Sequence, residues 1–273
     1  MIERCLKNRT VLGCLFLLTM ISSAGIFAPI IAPNDPNLTD VINTLAPASA
    51  EYPLGTDYLG RCIFSRVLFG IRTTLFYSVV TMFVTVIFGA CIGIFSGYVR
   101  GKIDSLIMRI CDVMLSFPYE VIVLSVVGFL GPGIANIIIA NFVAKLAWYI
   151  RMIRSSVIKY NHMNYLLYSQ TIETPKRFIL FKHLLPNISS EIVILASLDL
   201  GWIILSISAL SFLGLGVQSP TAEWGAMLND AKEVLFSHPE QMLIPGVAIM
   251  IVVACCNLLG DSLRDVLDPK VAQ

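Results

Sequence analysis

Six stretches of the chain are apolar over about the 20 residues that a helix needs to cross a bilayer. They lie near residues 11–33, 73–97, 106–130, 134–155, 191–213 and 241–260. The pattern predicts an all-α, polytopic membrane bundle of six transmembrane helices. In the third stretch the apolar core after Pro118 is short of a full span. Its helix is therefore expected to start near Leu106 and to carry Arg109 and Asp112 on one face, three positions apart. In the second stretch Gly89, Gly93 and Gly97 recur at every fourth position. Glycines so spaced line one helix face and admit a close neighbour.

Between the fourth and fifth stretches the pattern changes. ETPKRFILFKHLLPN, residues 173–187, sets Lys176, Arg177, Lys182 and His183 among apolar residues. Thr174 before Pro175 suits a helix N-cap followed by proline at the first helical position. The expected helix runs from Pro175 to Leu185, where Pro186 stops it. Phe178, Phe181, Leu184 and Leu185 form its apolar stripe. Upstream, MNYLLYSQTIE is expected to form another short helix, so that two amphipathic helices meet at a bend. Such a segment fits a helix lying on lipid headgroups and equally a helix docked in a protein groove.

Composition agrees with a membrane chain. Charged residues make up 14% and hydrophobic residues 56%, whereas a soluble domain carries about 25% charge. The net charge of +1 gives no basic surface for nucleic acid. None of the seven cysteines forms a CxxC pair, and most lie in apolar runs, as small buried hydrophobes do. VLGCLFLLTMISSAGIFAPIIAP is longer than the roughly 7–15-residue core of a signal peptide, so a retained first helix is expected.

The positive charges orient the bundle. With the N-terminus in the cytoplasm, only Arg61, Arg66, Arg72 and Lys232 of the 19 Lys and Arg fall outside, and Lys145 falls within a span. The other fourteen fall inside, which places both termini and the 156–190 loop in the cytoplasm. Residues 34–70 and 214–240 are then the longest outer segments. In the second, Trp224 with Glu223, Asp230 and Glu233 fits an amphipathic helix near the membrane interface, or a simple cover over the bundle mouth.

Charges inside spans are costly and are commonly paired or functional. Glu120, Lys145 and Asp199 are the candidates. They fit a buried ion pair, foremost Lys145 with Asp199, and they also fit a translocation path. His162, His183 and His238 all fall outside the spans, and no Cys/His cluster offers metal-ligand spacing. No metal site is expected in this chain.

The 165–186 segment resembles the coupling loop of binding-protein-dependent ABC importer permeases, whose pattern is EAA, three residues, glycine, nine residues and I-x-L-P. Aligned on Leu185–Pro186, the triplet falls on Leu167, Tyr168 and Ser169, the glycine on Glu173 and the isoleucine on His183. Only the Leu-Pro end is identical. PLGTDYLGRCIFSRVLFGIRTTL (53–75), DSLIMRICDVMLSFP (104–118) and SFLGLGVQSPTAEWGAMLNDA (211–231), with the first span ending in IIAPNDP, resemble the C-type permeases of peptide and nickel importers. LAWYIRMIRSSVI (146–158), LASLDLG (195–201) and SPTAEWGAMLNDAKEVLF (219–236) look closest to nickel and metal-chelate permeases.

The resemblance implies a type I importer permease fold with cytoplasmic coupling helices, in a bacterial cytoplasmic membrane. It divides the chain into a first helix and outer loop (1–70), a permease domain (71–263) with the coupling loop at 156–190, and a tail (264–273). It also implies a second permease subunit, two ATPase subunits and an extracytoplasmic solute-binding protein as partners. Coupling then falls to Tyr165, Leu167, Tyr168, Ser169, Glu173, Pro175, Phe178, Phe181, Leu184, Leu185 and Pro186. The chain has no GxxxxGK[ST] phosphate loop, so ATP hydrolysis is expected of the partners, and no cofactor is expected. Nickel or another transition metal, free or chelated, is the expected cargo, with di- or oligopeptides as the near alternative. A secondary transporter acting alone, or a structural membrane protein, would lack a use for the docking loop.

Overall fold

The computed structural model describes residues 8–161, 163–164, 168–169, 172, 174–175 and 178–267. Among them the fold is helical, with a single isolated bridge between Thr56 and Cys62. Helix α1, Arg9–Ile26, starts where the Asn8 side chain accepts from the amides of Thr10 and Val11 at 2.9 and 3.3 Å. After one further turn, α2 (Ala28–Ile31), the chain folds into a compact loop. That loop is closed by the amide of Thr56 donating to Ala46 O at 3.1 Å and Gln241 Nε2 donating to Thr56 O at 2.9 Å.

Helix α3, Ile63–Val99, has 37 residues and is about 55 Å long, far more than the roughly 30 Å of a hydrocarbon core. It starts ten residues before the expected 73. The extra turns hold Arg66 outside the apolar stretch, where its Nη1 donates to two backbone carbonyls and its guanidinium lies 3.7 and 3.5 Å from Asp57 and Asp230. At the far end, Arg100 (φ 56°) and Gly101 (φ 71°) reverse the chain. Glycine takes that left-handed geometry at no steric cost.

The third expected span is not one helix. α4, Gly101–Leu115, and α5, Tyr119–Leu130, meet at 87°. Pro118 is the reason: it lacks the N–H that a continuous helix would need and keeps its predecessor out of the helical region. α4 buries Asp104 and Cys111 and exposes Ile103, Leu106, Ile110 and Val113. Arg109 and Asp112 fall on the same helix, α4, as expected, but no ion pair joins them. Asp112 instead accepts from Arg151 Nη2 at 2.5 Å, both side chains being about half exposed.

Helix α6, Ile134–Asn161, is the hub and packs on α3, α4, α5 and α7. Helix α7, Leu185–Phe212, is led in by a π-helical turn at Ile179–Leu184, so that one apolar helical run extends from Ile179 to Phe212. Helix α8, Trp224–Asp230, is tucked against α3, α7 and α9, and α9, Glu240–Leu267, completes the bundle. Among the described residues, five helical runs are long and apolar enough to cross a membrane, or six with the bent pair α4–α5.

The glycine face predicted on α3 meets α6. A Cβ on Gly89 would stand 2.5 Å from Tyr149 Cβ, one on Gly93 2.8 Å from Ile150 O, and one on Gly97 2.9 Å from Val157 Cβ. One core joins α1, α3, α8 and α9 around Trp224 and Val252. Another joins α5, α6 and α7 around Val127, Ile137 and Ile203.

Candidate functional site

The segment between α6 and α7 is anchored from within. Ile179 and Leu184 are buried among Tyr149, Ile153, Val157 and Ile188. Phe178 and Phe181 point outward and are 46% and 69% exposed, and the Phe178 ring meets the His183 ring edge to face at 5.5 Å, so this turn carries an exposed aromatic face on a fixed base. The amides of Phe178 and Ile179 donate to Pro175 O at 2.8 and 3.2 Å, which starts the turn after Pro175 as expected.

Pro186 does not stop the helix. It occupies the first turn of α7, where its missing N–H matters least. The π turn before it is the local adjustment: the Leu185 amide donates to Leu180 O, five residues back, and the wider turn makes room for the proline ring. The expected apolar stripe is therefore split. Leu184 faces the core, Leu185 is half-buried, and only Phe178 and Phe181 face out. Ser169 is buried and Tyr168 is exposed. The Thr174 amide donates to Ser169 O at 3.0 Å, so Thr174 and Ser169 close the bend. Tyr165, Leu167 and Glu173, with most of the expected upstream helix, lie outside the described residues.

At mid-bundle the helices bring together polar groups far apart in sequence. Lys145 Nζ on α6 donates to Asp199 Oδ1 on α7 at 2.5 Å, and the Tyr149 hydroxyl donates to Asp199 Oδ2 at 3.1 Å. The ammonium also lies 5.3 Å from the Tyr119 ring centre and 5.7 Å from those of Trp148 and Trp202. Such cation–π contacts contribute about 0.5–2 kcal/mol each where desolvated. The Tyr119 hydroxyl donates to Asn141 Oδ1, and the Ser206 hydroxyl lies 3.0 Å from the Tyr119 oxygen. Of the three expected membrane charges, two thus pair. The third, Glu120, sits exposed in the first turn of α5, at the rim of a cleft between α5 and α7.

Further ties run along α6 toward the end that bears the π-helical turn. Arg154 grips Asp104 with two bonds of 2.5 and 2.6 Å, and Ser96 adds a third at 2.5 Å. Ser156 donates to Glu191, which Lys159 also reaches at 3.4 Å. These bonds fix α6 to α3, α4 and α7 just above the π turn.

At the opposite end, α8 is not an interfacial helix. Trp224 is 1% exposed and its indole donates to Val67 O at 3.1 Å. Glu223 is fully buried: it caps α8 through the Ala226 amide at 2.8 Å and accepts from Thr74 at 3.1 Å. Burial pushes the Glu223 carboxyl up, offset in part by donors from Gly225, Ala226, Ser211 and Thr74. Asp230 is bound by Arg61 at 2.7 Å, and Arg61 also holds Asp57 at 2.6 Å. Arg66 donates to Pro36 O and Pro220 O at 3.1 and 3.2 Å. The segment is a fixed cover, because Glu223, Asp230 and Lys232 have partners inside the fold. Arg61 and Arg66 appeared in the sequence only as two outer-loop charges. Besides the nearby Asp57 and Pro36, they have partners more than 150 residues away in Asp230 and Pro220, which no local spacing reveals.

Among the described residues no group of three His, Cys, Asp or Glu is placed to hold a metal ion.

Comparison with known proteins covers both the outer cover and the docking segment. The family model described as "binding-protein-dependent transport system inner membrane component" matches residues 89–273. The metal-staphylopine import system permease protein CntC of Staphylococcus aureus is 41% identical over 271 residues, which is 99% of this chain and 94% of that protein. The nickel transport system permease protein NikC of Escherichia coli is 39% identical over 239 residues, 88% of this chain and 86% of NikC. The dipeptide transport system permease protein DppC of Alkalihalophilus pseudofirmus is 38% identical over 265 residues, 97% of this chain and 87% of DppC. The chain belongs to this family of inner-membrane permease components of ABC importers.

Proposed function

We propose that this chain is one permease half of an ATP-driven importer for nickel or another transition metal, free or chelated. The observation that carries the cargo is the identity of 41% to the metal-staphylopine permease across 99% of the chain. A dipeptide reading is favoured by one observation, the 38% identity to a dipeptide permease over 97% of the chain.

In this reading a second permease subunit completes the pathway, two ATPase subunits dock beneath, and a solute-binding protein delivers cargo from outside. The chain itself does no chemistry, and both termini are cytoplasmic. Phe178 and Phe181 enter a groove on an ATPase, with Pro175, Tyr168 and the residues around them shaping the face. Closure of the ATPases pushes this face. The buried anchors Ile179 and Leu184 and the bonds of Arg154 and Ser156 pass the movement into α6, and so to Lys145 and Asp199. A face tied only to lipid would have no rigid base to push against, and this support favours docking over headgroup binding.

The test is uptake of labelled nickel and of a labelled dipeptide in cells that lack the chain, each with and without its restoration. Nickel uptake that depends on restoration supports the metal reading. Dipeptide uptake alone moves the protein to the peptide branch.

A further inference from the structure

A cleft of about 680 Å³ opens between α1 and residues 69–79 of α3. Its top is formed by Pro36 and Asn37 of the first outer loop and by Thr221 and Ala222 of the second. α3 holds both loops in place: the Thr73 hydroxyl donates to Ala222 O at 2.6 Å, and the Asn34 amide donates to Ser65 Oγ at 3.2 Å. Arg72 is the one charged residue on the wall, and it is exposed. Its guanidinium has no partner among the described residues, whereas Arg61 and Arg66 at the same end are buried in ion pairs. The stem of Arg72 is placed by α1. A Cβ on Gly25 would stand 3.5 Å from Arg72 Cγ and only 2.6 Å from Ile71 Cγ2, so the helices can approach here because residue 25 has no side chain.

Away from the loops the wall turns apolar. Phe76 and Val79 follow Arg72 by one and two turns and are 64% and 44% exposed, and Ile26 of α1 lies across from them. Arg72 and Val79 are about 10 Å apart along the helix axis. A cation and an amide thus stand at the loop end, and an apolar channel runs from them toward the middle of the span. A phospholipid carries its phosphate and its acyl chain in the same order. A guanidinium binds phosphate oxygens through two parallel N–H bonds, and cations at the membrane surface attract anionic lipid. A zwitterionic headgroup would also bring an ammonium, and no carboxylate lines the cleft to receive it. A helix of another protein could cover Phe76 and Val79, but it would have to place a carboxylate at the depth of Arg72. Lipid phosphates lie at that depth all round a membrane protein.

We infer that this cleft is a binding site for one phospholipid of net negative headgroup, in the leaflet at the covered end. In the orientation proposed above that is the outer leaflet. Arg72 takes the phosphate, the Asn37 side chain donates to the headgroup, and Ile26, Phe76 and Val79 hold the upper part of one acyl chain. The bound lipid joins α1 to α3 beneath the cover from the membrane side. The site is independent of the cargo. Arg72 and Phe76 are both exposed, so replacing either opens no buried void.

The test uses the full chain, purified in mild detergent with the subunits that accompany it and then stripped of lipid. Phosphatidylglycerol or phosphatidylcholine is added back, and native mass spectrometry counts the lipids bound. Wild type should take up one phosphatidylglycerol about tenfold more tightly than phosphatidylcholine. Arg72→Gln should weaken phosphatidylglycerol about tenfold, to the level of phosphatidylcholine, and Arg72→Lys should keep part of the preference. Phe76→Ala should weaken both lipids alike, because it removes a chain contact. Lys232→Gln removes another exposed cation at this end and should change neither. A wild type that binds the two lipids equally, or an Arg72→Gln that keeps the preference, overturns the site. An equal loss in Lys232→Gln would show diffuse attraction to the surface and overturns it as well. If Arg72→Gln instead loses an accompanying subunit while lipid binding stays unchanged, the face is a protein interface and the lipid site falls. None of these outcomes touches the importer reading, which the uptake experiment decides.

Discussion

Phe181 and Leu184 lie one turn apart and meet opposite surroundings: Phe181 is 69% exposed and Leu184 is 0% exposed. The two positions separate docking from folding. Phe181→Asp places a charge in solvent and should change stability by no more than about 0.5 kcal/mol. It should nevertheless abolish transport and loosen ATPase binding, measured as co-purified ATPase and as cargo uptake. Leu184→Asp buries a charge with no partner and should cost about 3–5 kcal/mol, so the protein itself should be lost. Transport that survives Phe181→Asp with the ATPases still bound would remove this face from the coupling path. At this scale the sequence was partly readable. The stripe was visible, but the π turn rotates Leu184 inward. The pairing of Lys145 with Asp199 was legible because a charge in an apolar span must find a partner. The bond from Arg61 to Asp230, 169 residues on, was not, because loop charges carry no such obligation.

Helices α3 and α6 approach so closely because α3 has no side chains where they touch. At Gly93 an added Cβ would stand 2.8 Å from the Ile150 carbonyl, a backbone atom that cannot swing aside. Gly93→Ala should therefore lower stability by about 1–3 kcal/mol, the usual cost of overpacking. Gly13 in α1 is the control, since nothing lies within 4 Å of its added Cβ. There the same change should be neutral or should stabilise by up to about 1 kcal/mol, as alanine favours the helix. Thermal unfolding of the two purified variants in detergent decides it. Equal shifts would mean that the glycine face is not a packing seam. The glycine repeat was legible because its period fixes one face whatever the partner. The α4–α5 corner was not. Hydropathy sums residues 106–130 into one span and is blind to direction, so it misses the 87° bend at Pro118, across which α4 turns its two aspartates to Arg154 and Arg151.

On the scale of the whole molecule, everything proposed for the two ends depends on which side each faces. The exposed residues give direct markers. Ile42 is 93% and Phe236 100% exposed at the covered end, and Phe181 is exposed at the docking end. In a background without the seven native cysteines, single cysteines at these positions report sidedness. Ile42→Cys and Phe236→Cys should react with a membrane-impermeant maleimide in intact spheroplasts. Phe181→Cys should react only after the membrane is opened. The expectation comes from charge: apart from Lys145, only Arg61, Arg66, Arg72 and Lys232 of the 19 basic residues lie on the outer side. The structure strengthens the reasoning, because Arg61 and Arg66 are buried in ion pairs with Asp57 and Asp230 and leave even fewer free cations at that end. The reverse labelling pattern would put Phe181 outside, where no ATP is available, and the coupling face would fall with the orientation. Labelling of all three in intact cells would mean that the 178–184 turn is reached from outside through the bundle. The fixed cover of Glu223, Trp224 and Arg61 gives a physical reason to expect otherwise.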